Sequence, residues 1–171
     1  ENVDVDPSSV DKIVFSHLHF DHCGGTALVP NAQIIVQRSE WQSGHHPKLI
    51  EHEVYKPDDF DLGHDVLQIE GQHDVFGDGS VLCLPTPGHT AGHQSLRVNL
   101  ASGPVILTGD CVYWGDVLEK MLLPPFGFDH EMQLNSMGYL KALRDEQGCK
   151  LLFGHDEGQW ADLDRSSKGL T

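Results

Sequence analysis

The chain has no apolar run approaching the ~20 residues that a membrane-crossing helix needs, and no membrane partner is expected. It has no C-x-x-C pair either. Its four cysteines, Cys23, Cys83, Cys111 and Cys149, are spaced for neither a zinc finger nor a thioredoxin-type site. Buried free thiols in a reducing compartment are the expectation. Basic residues are scarce: 11 Lys and Arg stand against 26 Asp and Glu, a formal net charge of −15. Such a surface repels a phosphate backbone, which excludes nucleic acid as a partner. A Gly-rich phosphate loop, a G-x-S-x-G nucleophile elbow, internal repeats and low-complexity segments are all missing. The opening residues, Glu1 to Pro7, are acidic and do not read as a signal peptide; the expected location is cytoplasmic. Position 1 is not Met, and the natural N-terminus is expected to be missing.

What is present fits an ordinary globular protein. Over 171 residues, 39% are hydrophobic and 22% charged, enough for a single domain, 1–171, with its own core. The chemistry is concentrated in Ser16-His17-Leu18-His19-Phe20-Asp21-His22. Four of these residues can bind a metal, and none is a cysteine. His17 and His19 are two apart, so in an extended loop both side chains leave the same side of the backbone. Asp21 and His22 are adjacent and are expected to diverge, which suits two ions side by side. Ile13-Val14-Phe15 before the stretch has β preference, and Gly24-Gly25 follow it. The stretch reads as the loop leaving a buried strand, with a helix beginning just beyond.

Further strands are expected at 32–36, 66–69, 74–76, 80–84, 94–100, 105–107 and 150–153, with Gly77-Asp78-Gly79 as a hairpin turn and 101–104 as another. Arg38 to His46 reads as a polar helix closed by Pro47, and 48–65 as a loop or helical excursion. The clearest helix runs from about Asp129 to Gln147: Asp129 caps it, Gly148 ends it, and Leu134, Met137, Leu140 and Leu143 form its apolar arc. Strands mixed with helices point to a layered α/β or α+β fold.

One pattern recurs along the chain. Ile13-Val14-Phe15 leads to His17, Val81-Leu82-Cys83-Leu84 to His89, Val105-Ile106-Leu107 to Asp110, and Leu151-Leu152-Phe153 to His155. Three of these residues directly follow a glycine, where the chain can turn sharply and approach a site closely. Taken singly, His89 or His155 reads as a surface histidine and Asp110 as a turn residue. Together, four strand ends would gather His17, His19, Asp21, His22, His89, Asp110 and His155 at one edge of stacked sheets. The remaining histidines, His45, His46, His52, His64, His73 and His130, read as solvated loop residues. His93 reads as one too, or as a hydrogen-bonding neighbour of the site. Imidazole and carboxylate without thiolate suit Zn, and also Fe, Mn or Co. Seven ligands are too many for one tetrahedral ion and right for two, with Asp110 as the natural bridge across ~3.5–4 Å. Two such ions supply an acidified water and a Lewis acid, which is hydrolysis chemistry.

At this point the chain resembles the metallo-β-lactamase superfamily. The motif His17-x-His19-x-Asp21-His22, then His89, Asp110 and His155 in that order, carries the resemblance over essentially the whole chain. It implies a four-layer αβ/βα sandwich, here N-terminally truncated, because only 16 residues precede the motif. It assigns His17, His19 and His89 to a first ion, Asp21, His22 and His155 to a second, and Asp110 to both. Within the superfamily the chain is similar to the acyl-homoserine lactone lactonases, through Ile34-Ile35-Val36-Gln37-Arg38, Thr86-Pro87-Gly88-His89, Gly92-His93-Gln94-Ser95-Leu96, Gly127-Phe128-Asp129 and Phe153-Gly154-His155-Asp156.

That branch implies a dinuclear hydrolase that opens the lactone ring of N-acyl-homoserine lactones. Tyr113, three residues after Asp110, would hold the lactone carbonyl, and Asp21 would pass a proton to the leaving oxygen. Phe20, Tyr113, Gly127 and Phe128 would contact the substrate, with core packing as the plain alternative for the two phenylalanines. True β-lactamases of the superfamily lack a bridging aspartate, and Cys111 falls one residue late for their cysteine ligand. The alternatives kept open are a lactonase or esterase acting on another small ring or ester, and a metal-binding but inactive partial domain. A short first sheet would also leave an apolar edge exposed, so self-association is expected.

Overall fold

The computed structural model describes residues 5–51 and 55–163; the first four residues and His52 lie outside the described residues. The apolar run after Asp11 forms strand β1 (Lys12–Val14). One helical turn, α1 (Phe20–Cys23), follows. Strand β2 (Gln33–Gln37) feeds directly into helix α2 (Arg38–Gly44), then α3 (Pro47–Glu51) and strand β3 (Val66–Ile69). These three strands form a parallel sheet in the order β1-β2-β3. A second sheet is built from β4 (His73–Asp74), β5 (Val81–Pro85), β6 (Gln94–Leu100), β7 (Gly103–Leu107) and β8 (Lys150–Leu152), in that order. Its first four strands are antiparallel neighbours in chain order, β5 joined to β6 by the loop 86–93. Strand β8 is parallel to β7, which requires a long crossover; helices α4 (Gly115–Lys120) and α5 (His130–Gln147) supply it. Helix α6 (Glu157–Asp162) comes last.

Side chains alternate along each strand with period two, and this alternation builds the layers. Ile34 and Val36 of β2 face Phe15, Leu18, Tyr55, Phe60 and the helix side, while Ile35 faces Ile69, Val75 and Cys83 between the sheets. On the second sheet Leu84 and Ile106 face Leu118 of α4 and Met137, Leu140 and Leu143 of α5. The order is therefore helix, sheet, sheet, helix: the layered sandwich expected. All four cysteines are free and buried. No helix among the described residues is long and apolar enough to cross a membrane.

Helix α5 follows its sequence signals closely. The Asp129 carboxylate accepts the Met132 N–H at 2.9 Å, and Gly148 closes the helix with φ +67°. Leu134, expected on its apolar arc, instead lies exposed. A second expectation fails after the His17 motif. The helix there starts at Phe20, before the glycines, and beyond them only a 3₁₀ turn forms at Thr26–Leu28. Pro30 has no N–H to continue a helix, and the chain must re-enter the sheet at Gln33. Helices α4 and α6, absent from the sequence expectations, are each a turn and a half long. Strand β1 has no neighbour on its outer side among the described residues. There an apolar groove of about 240 Å³ opens between Val14, Leu96, Leu107, Leu152 and Phe153.

Candidate metal centre

The loops leaving β1, β5, β7 and β8 meet at one end of the two sheets. His19 keeps an extended backbone, with φ −71° and ψ 150°, so it projects beside His17. Its Nδ1 lies 3.1 Å from His17 Nε2 and 3.1 Å from His89 Nε2. Nitrogens about 3.3 Å apart are what a tetrahedral ion with bonds of about 2.0–2.1 Å requires. Asp21, His22 and His155 form a second group whose ligand atoms lie within 4.8 Å of one another. Asp110 stands between the two groups. Its Oδ2 lies 3.5 Å from His89 Nε2 and 4.0 Å from His17 Nε2, and its Oδ1 lies 3.1 Å from both His22 Nε2 and His155 Nε2. The structure thus brings together all seven residues singled out in the sequence.

Asp21 and His22 do not diverge as expected. Adjacent residues on a helical turn point only about 100° apart, and the long His22 side chain brings Nε2 to within 3.4 Å of Asp21 Oδ2. The two groups also differ in depth. His17 and His89 are buried, whereas the Asp21 and His155 side chains are each 40% exposed.

Buried polar groups hold the centre in place. His93, entirely buried, is a neighbour of the site rather than a solvated residue. Its Nε2 accepts the Asp110 N–H at 3.0 Å, so Nδ1 carries the proton and donates to Thr86 O at 3.0 Å. Gly109 has φ +53°, and a Cβ there would fall 2.7 Å from His93 Nε2; the close approach needs glycine. Gln133 of α5 donates to the carbonyls of Asp110 and Cys111. Glu40 of α2 accepts hydrogen bonds from Leu18, Tyr55, Thr90 and Gly92. Sequence reasoning gave Gln133 and Glu40 no part, since each sits in a helical stretch where a polar residue is by default solvated.

The environment leaves these groups as ligands rather than acids. Burial, then neighbouring histidines, drives His17 well below the ordinary imidazole range. Burial lowers His19, and takes His89 down to about 4 and His93 to about 3. Burial would raise Asp110, but His22 and the other histidines outweigh it and bring the carboxyl to about 2. Burial likewise would lower His22, but Asp110 and Asp21 beside it raise it. At neutral pH His17, His19 and His89 offer lone pairs and Asp110 is ionised. His22 Nε2 and His155 Nε2 both lie 3.1 Å from Asp110 Oδ1, the spacing of ligand atoms that share one cation. Five imidazoles, two carboxylates and no thiolate suit a divalent ion of the Zn, Fe, Mn or Co type. Cys111 packs into the core beneath α5, away from the centre.

The same shifts predict acid lability of the metal-free chain. For a histidine with a lowered folded pKa, the unfolded chain binds the proton first, so stability is complete above about 6.5 and falls with pH towards 3 to 4. Asp110 adds a loss below 3.8 towards about 2, and His22 and the buried Glu40, both raised, have the opposite sign. Thermal unfolding of the metal-free chain should therefore show a falling midpoint from pH 7 to pH 4. A midpoint constant over that range would contradict the prediction.

Of the residues expected to meet a substrate, Tyr113 lies beside His89 and His155, Gly127 and Phe128 line a cleft next to the centre, and Phe20 does not. Tyr113 Oη lies 3.2 Å from His89 Nδ1, and its ring 5.4 Å from that of His155. Burial raises its pKa, so it stays protonated. Phe20 and Phe128 are each 63% exposed, so neither is a core residue. Gly127, with φ +142°, lets Phe128 donate its N–H to Gly88 O and His89 O. Phe128 joins Phe126, Leu49, Tyr55, His19 and His89 around an apolar cleft of about 290 Å³. Phe20 stands outside that cleft, with Lys56 Nζ 5.9 Å from its ring centroid. His45 pairs with Asp61, and His64 with Val29 O, away from the centre.

A family model described as the metallo-beta-lactamase superfamily matches residues 1–155. The N-acyl homoserine lactonase AttM of Azorhizobium caulinodans is 34% identical over 168 residues, which is 95% of this chain and 64% of that protein. The N-acyl homoserine lactonase AiiA of Bacillus thuringiensis subsp. kurstaki is 38% identical over 157 residues, 91% of this chain and 60% of that protein. A solved N-acyl homoserine lactone hydrolase, with the product N-hexanoyl-L-homoserine bound at its catalytic metal center, matches with a TM-score of 0.83 and 36% identity. That match covers 95% of this chain and 62% of the other. The chain thus spans less than two thirds of the length of these relatives. With the family model running through His155 and the backbone following a solved hydrolase this closely, the chain belongs to the metallo-beta-lactamase superfamily.

Proposed function

We propose that this chain carries the dinuclear centre of a hydrolase that opens the lactone ring of N-acyl-homoserine lactones. His17, His19 and His89 would hold one divalent ion, Asp21, His22 and His155 a second, and Asp110 would reach both. Zinc is the proposed metal, and Fe, Mn and Co accept the same donors. Such ions, when bound, polarise a carbonyl and lower the pKa of water. The observation that carries the reading is the single carboxylate of Asp110 turned with one oxygen to each trio, beside an apolar cleft.

The chain's own groups then divide the work. The cleft between Leu49, Tyr55, Phe126 and Phe128 takes the acyl chain. With His89 Nε2 directed at the centre, its Nδ1–H donates to the Tyr113 oxygen, which turns the Tyr113 hydroxyl hydrogen towards the centre on the side of the Asp110 carboxylate. That hydrogen meets the lactone carbonyl oxygen as negative charge grows on it. Asp21, exposed at the rim, takes up the proton that the attacking water gives up and passes it to the ring oxygen as the carbon–oxygen bond breaks. Addition of water gives a hydroxyl, a carboxylate and one proton released to solvent.

The released proton is the readout. Elemental analysis of the purified chain should find two ions, and a weakly buffered solution should acidify on addition of hexanoyl- or decanoyl-homoserine lactone. Turnover of a simple γ-lactone or a thioester in preference to these would move the substrate to another ring or ester. Two bound ions with no acidification by any of them would sink the activity.

A further inference from the structure

Glu40 is the one carboxylate among the described residues that is entirely buried. It sits in the first turn of α2, but its oxygens turn away from the helix's own amides. Oε1 accepts the Leu18 N–H at 3.1 Å and the Tyr55 hydroxyl at 3.0 Å. Oε2 accepts the Thr90 hydroxyl at 2.7 Å and the Gly92 N–H at 3.0 Å. Among the described residues it forms no salt bridge; neutral donors alone replace its lost hydration. Burying a charge in this way is unfavourable unless every lone pair is satisfied, so the choice of a carboxylate here calls for a reason.

The reason lies in what the four donors are attached to. Leu18 separates His17 from His19. Thr90 follows His89, and Gly92 belongs to the same loop. The Tyr55 ring lies 5.3 Å from the His19 ring. One carboxylate therefore holds the immediate chain or ring neighbours of all three nitrogens in the deeper trio. These nitrogens come from loops about 70 residues apart; the Gln94 N–H joins the two segments at Ser16 O, before the first histidine, and Glu40 joins them again at Leu18, Thr90 and Gly92. The approach is tight: a Cβ on Gly92 would fall 2.2 Å from the Glu40 backbone nitrogen.

We propose that Glu40 is a positioning residue that locks the His17–His19 loop to the His89 loop and so presets their three nitrogens for the first cation, an inference that rests on the metal reading of the site. A neutral amide at this place keeps only one acceptor, so one loop or the other loses its anchor. Groups that fix the orientation of a metal's ligands are worth about 10- to 100-fold in metal affinity.

Cobalt(II) binding to the chain tests it, read by competition with a chromophoric chelator and by the visible ligand-field spectrum. Glu40→Gln is expected to weaken the tighter site about 10- to 100-fold and to change its spectrum. Thr90→Val and Tyr55→Phe, which each remove one donor, should weaken it by less in the same direction. Leu140→Ala, a core truncation beneath the second sheet, should lower the melting temperature and leave affinity and spectrum alone. Glu40→Gln with wild-type cobalt affinity and spectrum overturns the inference. Should that variant not fold, unchanged binding in both Thr90→Val and Tyr55→Phe overturns it equally. An unsubstituted chain that binds no cobalt sinks the metal reading itself, a different result from binding that ignores Glu40.

Discussion

Replacing Asp110 with alanine is expected to strip the centre of metal and to lower lactone opening by at least about 10³-fold. No other residue of the seven faces both trios. Its Oδ2 and Oδ1 lie 3.5 Å from His89 and 3.1 Å from His155. It is buried, and its carboxyl, held at about 2, stays ionised through the working range. Removal would leave two cations held by neutral imidazoles and one exposed carboxylate, Asp21, with nothing to offset their mutual repulsion. Asp110→Asn separates shape from charge, since the amide retains one oxygen and the contact with His93 is made by the backbone N–H. Asn should keep the fold and recover part of the first ion only. Elemental analysis of both variants, with circular dichroism as the check on folding, decides the matter. An alanine variant that still carries two ions would remove Asp110 from the proposed bridge.

Tyr113→Phe should leave metal content intact and reduce kcat by about 10²–10³-fold, with little change in KM. The hydroxyl is the feature that matters: it is half-buried, remains protonated, and sits 3.2 Å from His89 Nδ1. A donor already fixed in place stabilises charge that develops only in the transition state, so its loss appears in turnover rather than in binding. Phenylalanine keeps the ring contact with His155 and takes away only the donor. Undiminished turnover would exclude Tyr113 from the reaction. A parallel loss of metal would reassign it to support of His89.

Much of this centre was legible because its residues follow apolar runs. An apolar run that leads into a histidine or aspartate announces where its side chain is delivered, and four such ends, three of them through a glycine, sufficed to collect His17, His89, Asp110 and His155. The cap residues Asp129 and Gly148 likewise bracketed α5 to within a residue. Short helices such as α4 and α6 escaped because a turn and a half carries too little periodicity. The direction of Asp21 and His22 was misread because the motif itself is helical from Phe20, so an extended-chain argument that holds for His17 and His19 fails two residues later. Glu40 and Gln133 were invisible for a different reason. Their significance comes from donors and carbonyls far away in the chain, and a helical glutamate or glutamine has no local mark that distinguishes burial from solvation.

The difference in depth between the two trios has a consequence for a chain holding two cations. An ion held by His17, His19 and His89, two of them buried, would exchange slowly, whereas one beside Asp21 and His155 exchanges ligands with water at the rim. The inner occupant would record the medium in which the protein folded; the outer would follow whatever solution surrounds it. Mixed-metal preparations would then arise from dialysis alone, with the inner element retained and the outer one replaced.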